Sequence, residues 1–461
     1  MRRSFLLLLP FLALTLIAGT IDLDRLFNYA DQEIPAYITK DNTVANLITD
    51  EVATLGRVLF YDKQLSSNNA ISCASCHHQE FAFSDTNTVS TGFEGGVTGR
   101  HSMRLINSRF ADEGHFFWDE RAFTLEDQTT QPIKDHIEMG FSGTNGQPGI
   151  DSLINKMSGI DHYPKLFRFA FGSEDITEDR IQLALAQFVR SIQSFDSKFD
   201  AGRSRAPNDA APFPNFTPQE NMGKQLFLAP PPAGAGCAGC HRPPEFDIDP
   251  NTRNNGVIGV AGDPDDVDIT NTRAPTLRDV FNPSGELNGP LMHDGSMKTM
   301  EEVIEHYNAI VLHPLNFTLD PRLAGGPGQN GQRLNLTQTQ KEALVAFMRT
   351  LSGSNVYTDE KWSDPFDENG ELTLVGGGIT GLFDQEQVQP RIYPNPVTDL
   401  LTVEGLTGSS RIQLVGMNGG IVMDNYFDGN SPVDVSSFPS GVYILLIFDG
   451  DDIHQQKLVI R

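Results

Sequence analysis

The sequence predicts a mainly α protein of two related helical domains, followed by a small C-terminal β-sandwich. Three observations support this prediction. Short motifs recur in the same order in residues 20–205 and 206–365, helical periodicity dominates both stretches, and β-type runs with turn residues appear after residue 390. The 461 residues suffice for three domains at ~150 residues each.

The composition is that of an acidic globular protein. Hydrophobic residues make up 39% of the chain, which is enough for buried cores, and 34 Lys and Arg against 60 Asp and Glu give a net charge of −26. Nucleic-acid binding needs a basic face, so the composition predicts no nucleic-acid partner. An acidic surface permits a cationic protein partner, although it also serves solubility alone.

The first 19 residues have the pattern of a signal peptide. Two arginines precede an apolar run over residues 5–17, and an Ala-Gly pair supplies small residues for cleavage. The apolar run is shorter than the ~20 residues of a membrane-spanning helix. We therefore expect residues 1–19 to be removed and the protein to be exported, with an uncleaved anchor as the alternative.

All four cysteines lie in two Cys-x-x-Cys-His motifs, formed by Cys73, Cys76 and His77, and by Cys237, Cys240 and His241. In an exported chain an even number of cysteines first suggests disulfides. However, two thiols on one helical turn can form thioethers to the two vinyl groups of one haem, and the next histidine then reaches the iron.

A redox-active dithiol and a zinc site would each account for fewer of these six residues. A thioredoxin-like redox pair needs a βαβ context, which the sequence lacks, and a four-cysteine zinc site leaves both histidines without a role. The motifs therefore predict two covalently bound haem c groups, one in each of two tandem cytochrome c-like domains.

The two haem motifs occupy corresponding places in a repeat. The segment from Leu55 to Phe60 precedes the first motif as Met222 to Phe227 precedes the second. Downstream, the Asp, Thr and Glu that follow Trp118 recur at identical offsets after His293. Common ancestry of the two domains is the simplest account of this repeat.

The repeat also predicts different sixth positions for the two irons. The residue 14 positions after Trp118 is Pro132, which cannot bind iron, whereas the residue 14 positions after His293 is Tyr307, which can. The first haem would then be open and the second capped. A buried helix tyrosine is an equal alternative, and rival ligands are Met292, Met297 and Met300.

An open haem that cleaves peroxide needs a group that moves a proton between the two oxygens. Glu138 follows Pro132 by six residues and stands just before Gly140, which suits a loop. His136 is a rival for this role, and a solvated surface carboxylate is the alternative to a catalytic Glu138.

The last segment differs from the rest. A linker over residues 366–390, with three glycines at Gly376 to Gly378, precedes the β-type residues 391–461. This segment has no cysteine, and we assign it no chemistry.

The haem motifs and their neighbours resemble the bacterial dihaem cytochrome c peroxidases and their MauG-type relatives. The resemblance extends from about Ile34 to Gly353, and the stretches that carry it are Leu65–His77, Phe117–Arg121, Glu138–Gly140, Arg273–Arg278 and Met292–Ser296. It implies that hydrogen peroxide is reduced at the N-terminal haem. Electrons would enter through the C-terminal haem from a small cytochrome or copper protein.

The resemblance also implies roles for individual residues. His77 and His241 would be the proximal iron ligands, Glu138 the distal acid–base residue, and Trp118 an electron relay between the haems. Members of the family often form homodimers.

Two departures from the standard peroxidases concern the distal sides. Phe93 stands where a distal histidine blocks the resting peroxidatic haem, which implies a haem that is open without activation. Tyr307 stands at the position of the axial methionine, as in MauG-type enzymes that oxidise a protein substrate. A MauG-type oxidase and a non-enzymatic electron carrier are therefore the alternative functions.

The family also holds a calcium ion between its haem domains. The matching positions here are His101, Asn288 and Pro290. An imidazole is a poor ligand for this cation, whereas the backbone carbonyls of Asn288 and Pro290 suit it.

The C-terminal segment resembles the sorting domain of the type IX secretion system, through Tyr393 to Pro396 and Ser440 to Tyr443. The resemblance implies recognition by the type IX secretion machinery. The protein would cross the periplasm and then be secreted or held at the cell surface. A β-module that binds another partner is the alternative.

Overall fold

The chain forms two compact units, one that ends at residue 379 and one that begins at residue 380. The computed structural model describes residues 19–111, 114–248, 251–326, 330–377, 390–404, 409–416, 420–428, 432–449 and 452–461. The predicted signal peptide lies outside the described residues except for Gly19, and so do residues 378–389 of the predicted linker. Both Cys-x-x-Cys-His motifs belong to the first unit.

The described α-helices of the first unit are α1 (Asp50–Tyr61), α2 (Leu125–Lys134), α3 (Ile150–Ser158), α4 (His162–Phe171), α5 (Glu178–Ser191), α6 (Lys198–Arg203), α7 (Pro218–Leu228), α8 (Met300–Asn308) and α9 (Gln338–Met348). A threonine caps six of them by accepting a backbone N–H of the first turn. The capping box that the sequence predicts at Thr299 and Glu302 is confirmed at the start of α8. No described helix is long and apolar enough to cross a membrane.

The strands are β1 (Thr20–Asp22), β2 (His241–Arg242), β3 (Asp247–Ile248), β4 (Gly259–Val260), β5 (Asp263–Val267), β6 (Thr373–Val375), β7 (Arg391–Tyr393), β8 (Leu400–Glu404), β9 (Ser409–Gly416), β10 (Ile421–Asp428), β11 (Val433–Asp434), β12 (Gly441–Asp449) and β13 (Asp452–Ile460). In the first unit β1 pairs in parallel with β6, β2 pairs with β3, and β4 pairs with β5.

The prediction of a mainly α protein overstates the helical content, since helices make up only about 30% of the chain. Long loops with short 3₁₀ turns connect the helices, and both cysteine motifs lie on such turns, Cys73–Ser75 and Cys237–Gly239. These loops bring the cysteine motifs to the sites described below.

The predicted repeat is present in the packing of the helices. A Cβ atom on Gly56 of α1 would lie 2.0 Å from the carbonyl oxygen of Ala184 in α5, and one on Gly223 of α7 would lie 1.8 Å from that of Ala343 in α9. Both glycines therefore let two helices cross at backbone contact. The same close crossing occurs once in each of the two predicted cytochrome c-like domains.

A second pair of matching segments precedes α2 and α8. Phe117 and Met292 both have positive φ angles, of 72° and 70°. Each lies within a short loop closed by one backbone bridge, between Phe116 and Ala122 in the first case and between Leu291 and Met297 in the second. Trp118 follows Phe117 and His293 follows Met292, so these two residues occupy equivalent positions in the two loops.

The second unit is strand-rich. One sheet has the order β10–β9–β12–β13 and the other β11–β8–β7. The sheets share an apolar core that includes Leu401, Val403, Ile412, Leu414, Leu445, Ile447 and Leu458. Alternate residues of β8 and β12 face this core, as the period of two in a half-buried strand requires.

Candidate functional site: two cysteine–histidine centres

The first centre is built on the turn Cys73–Ser75. Ser72 and Ser75 form a capping box that fixes this turn, and His77 follows it directly. The Nδ1 atom of His77 lies 3.0 Å from the carbonyl oxygen of Phe83. Because a carbonyl only accepts, Nδ1 carries the proton and Nε2 keeps its lone pair for a metal.

The titration of this centre suits a covalent haem site. Burial lowers the pKa of His77, so the imidazole stays neutral, as iron ligation requires. Burial also raises the pKa of Cys73 to about 12 and that of Cys76 to about 11. Both cysteines are free of disulfides.

Glu138 lies beside the two cysteines. Burial, followed by the charge of Asp135, raises the pKa of Glu138 to about 7. The Glu138 carboxylate is near enough to Cys73 and Cys76 to add to the upward shifts of their pKa values. Arg121, from the stretch that includes Trp118, acts on Glu138 in the opposite direction. A carboxyl group that titrates near neutral pH can both accept and return a proton.

The loop that carries Glu138 is fixed by its backbone. Asp135 follows the end of α2, and its carboxylate accepts the N–H groups of Ile137 at 2.7 Å and of Glu138 at 3.0 Å. Pro132 lies in the last turn of α2, and its side chain offers no donor atom to a metal.

Phe93 packs against the same loop. Its N–H donates to the carbonyl oxygens of Ile137, at 2.7 Å, and Glu138, at 3.0 Å. The Phe93 ring is buried and approaches Gly140 so closely that a Cβ atom there would lie 2.9 Å from it. The ring of His136 meets it edge-on at 6.3 Å. An apolar ring, without a donor atom for a metal, therefore packs against the loop that carries Glu138.

The second centre surrounds a cavity of about 530 Å³. Its lining includes Cys237, Cys240 and His241, together with Tyr307 and Met292. Burial lowers the pKa of His241 to about 4, against the opposing effect of the Pro275 and Phe246 carbonyls. The imidazole is therefore neutral, and neither Cys237 nor Cys240 is in a disulfide, as at the first centre.

The hydroxyl group of Tyr307 is buried in this cavity. It accepts a hydrogen bond of 3.2 Å from the side-chain amide of Asn255. Burial is the main cause of the strong upward shift of the pKa of Tyr307. Met292 and Met300 also line the cavity, whereas the structure does not place Met297 among the lining residues.

Trp118 takes part in a chain of contacts that starts at the second cavity. Its indole lines the second cavity and meets the ring of His293 edge-on at 6.3 Å. The indole N–H donates to the carbonyl oxygen of His101 at 2.8 Å. The His101 side chain in turn lies 3.5 Å from the hydroxyl of Ser84, the residue after Phe83. Since Phe83 holds His77, a short chain of contacts joins the second cavity to the first centre.

The residues present at both centres fit haem c. Each centre has two cysteines outside any disulfide on one turn, followed by a neutral imidazole, and the second has an apolar cavity besides. Arg104 lines that cavity, and its buried Nε atom has no hydrogen-bond partner among the described residues, which suits a carboxylate of the cofactor. Neither Arg104 nor Asn255 belongs to a spaced motif, so no pattern in the sequence pointed to them.

The predicted calcium positions fit the ion poorly. The ring nitrogens of His101 lie 3.0 Å from the Asn87 carbonyl and 3.5 Å from the Ser84 hydroxyl, and burial lowers the pKa of His101 to about 4. The side chain of Asn288 donates to the Asp279 carbonyl and leaves its buried Oδ1 without a partner. Besides the backbone carbonyls of Asn288 and Pro290, these positions offer one unpartnered amide oxygen, whereas calcium takes six to eight oxygen ligands.

Two Cys-x-x-Cys-His centres in one helical unit define a di-haem c-type protein. Comparison with known proteins then identifies the chain as a member of the di-haem cytochrome c peroxidase and MauG family. The family model "Di-haem cytochrome c peroxidase" matches residues 50–206, and "Secretion system C-terminal sorting domain" matches residues 391–461. Membership implies an oxidoreductase with two haem c groups.

The relatives include MauG proteins and cytochrome c peroxidases. The methylamine utilization protein MauG of Methylophilus methylotrophus is 30% identical over 67% of this chain and 85% of its own length. Cytochrome c551 peroxidase of Nitrosomonas europaea is 29% identical over 66% of this chain and 80% of its own.

Solved structures show the same fold. A MauG-like protein associated with microbial copper homeostasis is 30% identical, with a TM-score of 0.58 over 73% of this chain and 99% of that protein. The diheme peroxidase BthA of Burkholderia thailandensis has a TM-score of 0.53 at 22% identity, over 74% of this chain and 96% of its own.

Proposed function

We propose that the protein reduces hydrogen peroxide to water at the first centre, with electrons supplied through the second. The observation that carries this proposal is the position of Glu138, a half-buried carboxyl group near Cys73 and Cys76 whose pKa is raised to about 7. Phe93, which has no donor atom for iron, packs on the Glu138 loop. These features support a peroxide site that is open in the resting enzyme.

The chemistry consumes one hydrogen peroxide, two electrons and two protons and yields two molecules of water. Bound haem would supply an iron that receives peroxide and exchanges electrons. Glu138 accepts the proton of the nearer peroxide oxygen and returns it to the farther one, which leaves as water. Asp135 orients this carboxyl group through the two N–H groups that it caps.

The electron route that we propose runs from the second cavity through Trp118. The indole is held by its bond to the His101 carbonyl, and the His101 side chain lies close to Ser84, near the proximal residue His77. A small cytochrome or copper protein would be the donor, and an acidic chain with a net charge of −26 suits a cationic one.

A MauG-type oxidation of a protein side chain is the second candidate function. It is favoured by the buried hydroxyl of Tyr307 in the second cavity, because a hard oxygen ligand would lower the reduction potential of a bound iron. A simple electron carrier is the third, and it would need both irons to be six-coordinate.

The C-terminal unit supports export to the cell surface or the medium. Its match to a secretion sorting domain covers residues 391–461. We propose that type IX secretion machinery recognises this unit after the protein has crossed into the periplasm, and that the haem domains act outside the cell as a monomer or homodimer.

The test is an optical and EPR titration of the oxidised protein with peroxide. We expect a high-spin ferric signal that peroxide consumes, and loss of this reaction in Glu138→Gln. The matched control is Glu94→Gln, which makes the same change at an exposed glutamate next to Phe93. Two low-spin haems that ignore peroxide, also after half reduction, would leave only the carrier function. Steady-state turnover with a reduced small cytochrome separates the peroxidase from the MauG-type oxidase.

A further inference from the structure

The amide of Asn255 connects two side chains in the second cavity. Its Nδ2 atom donates to the hydroxyl oxygen of Tyr307 at 3.2 Å and to the sulfur of Met292 at 3.3 Å. An amide nitrogen carries two hydrogens, so it can serve both acceptors at once. The oxygen and the sulfur therefore lie no more than 6.5 Å apart, and both side chains line the cavity that holds Cys237 and Cys240.

Asn255 is itself held on both sides. Its Oδ1 accepts the N–H of Val257 at 3.0 Å, which fixes the side-chain amide with Nδ2 towards the cavity. Its backbone carbonyl accepts a hydrogen bond of 2.9 Å from Nε2 of His306, the residue before Tyr307. The carbonyl of Tyr307 accepts the Gln332 side chain at 2.7 Å. Asn255 and Tyr307 are thus fixed relative to each other.

The backbone of Met292 is held in a conformation that few side chains adopt. Its φ angle is 70°, within a loop that is closed by the bond of 2.8 Å from Leu291 N–H to the Met297 carbonyl. Phe117 has the same conformation at the equivalent place in the first haem domain. This backbone conformation is therefore common to both halves of the repeat. The thioether side chain at this position is present only in the second half.

We propose that the second haem iron has two alternative sixth ligands, Tyr307 when it is ferric and Met292 when it is ferrous, with Asn255 holding both within reach. A hard phenolate stabilises the ferric ion and a soft thioether the ferrous ion. The inference rests on the proposed function for the assignment of electron transfer to this haem.

The ligand exchange is coupled to one electron and one proton. With one electron from the donor protein on the iron, Tyr307 would leave the metal and take a proton from the solvent, and the sulfur of Met292 would bind in its place. Oxidation reverses each of these changes.

The experiment compares the holoprotein with Met292→Leu and Tyr307→Phe, each as the oxidised and the dithionite-reduced form. Iron X-ray absorption detects a bound sulfur, and resonance Raman spectroscopy detects a bound phenolate. We expect Met292→Leu to lose the sulfur signal of the reduced form and keep the oxidised spectra. Tyr307→Phe should lose the phenolate signal of the oxidised form and keep the sulfur of the reduced form.

Two further variants complete the design. Met300→Leu removes another methionine of the same cavity, one without a bond to Asn255, and should leave the sulfur signal intact. Asn255→Leu should give a mixture of ligands in the oxidised form, because it releases both side chains. The proposal fails if the reduced native protein shows no iron-bound sulfur, or if Met292→Leu retains it. Peroxide consumption at the first centre is tested separately with the Glu138 variant. A failure of the proposed function can therefore be told apart from a failure of this inference.

Discussion

The backbone N–H of Phe93 donates to the carbonyl oxygen of Glu138 at 3.0 Å. The ring of Phe93 also packs closely against Gly140, which is two residues after Glu138. The loop that carries the candidate proton-transfer group is therefore fixed by an apolar residue. The same contact is the reason that Gly140, with a φ of 84°, is needed beside Glu138.

Substitution of Gly140 by alanine tests this contact. Its Cβ would lie 2.9 Å from the Phe93 ring, so the loop must move and Glu138 with it. We expect peroxide turnover to fall by about 10²-fold, as for other small displacements of a catalytic group. Gly146→Ala is the matched control, since Gly146 has a similar φ of 82° but nothing within 4 Å of its Cβ position. Equal losses in both variants would contradict the role of the Phe93 contact.

The pH dependence of turnover should follow Glu138. The pKa of this group is raised to about 7, mainly by burial, and the group must be ionised to accept the proton of peroxide. The kcat/KM for peroxide should therefore rise about tenfold per pH unit below pH 7 and level off above it. Stopped-flow measurements across this range give the profile, and a profile without an inflection between pH 6 and about 8 would argue for a different base.

The helix crossings predict a strong effect of one added methyl group. Gly56→Ala and Gly223→Ala each bring a Cβ to about 2 Å from a carbonyl oxygen of the partner helix. We expect each variant to lose about 3 kcal/mol or more of stability, or to fail to fold, because backbone cannot yield as a side chain can. Gly99→Ala, with open space around its Cβ position, should match the native protein in thermal unfolding.

The buried ion pair of Asp200 and Arg278 predicts a dependence of stability on pH. Although burial raises the pKa of Asp200, the charge and bonds of Arg278 outweigh it, so the pKa lies below its usual value. This pair therefore stabilises the fold above about pH 4, and the contribution is lost as the pH falls through the lowered pKa.

Asp200→Asn leaves the buried Arg278 without its counter-charge and should cost about 3 kcal/mol at neutral pH. The free energies of unfolding of Asp200→Asn and of the native protein, measured with denaturant, should differ less in acid than at neutral pH. Glu174→Gln removes an exposed partner of Arg168 and should cost less than about 1 kcal/mol. A cost for Asp200→Asn that does not change between neutral pH and acid would exclude the ion pair as its cause.

Removal of the second unit should separate export from catalysis. A chain that ends at Gly377 keeps the described part of the first unit, including the pairing of β1 with β6. We expect this chain to attach both haems and to consume peroxide, but to remain in the periplasm of a host with type IX secretion. Cell fractionation with haem staining makes the measurement, and normal export of the shortened chain would contradict a sorting role for residues 391–461.

Local spacing along the chain was enough to predict both centres. Cys73, Cys76 and His77 must lie on one turn to serve one haem, and the second motif repeats this requirement. The matching segments that contain Gly56 and Gly223 also revealed the repeat. The structure gives the reason for these glycines, since a Cβ atom at either helix crossing would clash. The strand-rich C-terminal unit followed from its alternating runs.

Contacts between distant segments became known only from the fold. Glu138 on sequence spacing was no better than a surface carboxylate, and its burial beside Cys73 and Cys76 depends on the fold of the intervening loops. Asn255 had no motif, yet it binds both Tyr307 and Met292. The helical content was overestimated because loops supply much of each centre. Such contacts arise from packing between segments far apart in the chain, whereas sequence periodicity reports only on neighbours along it.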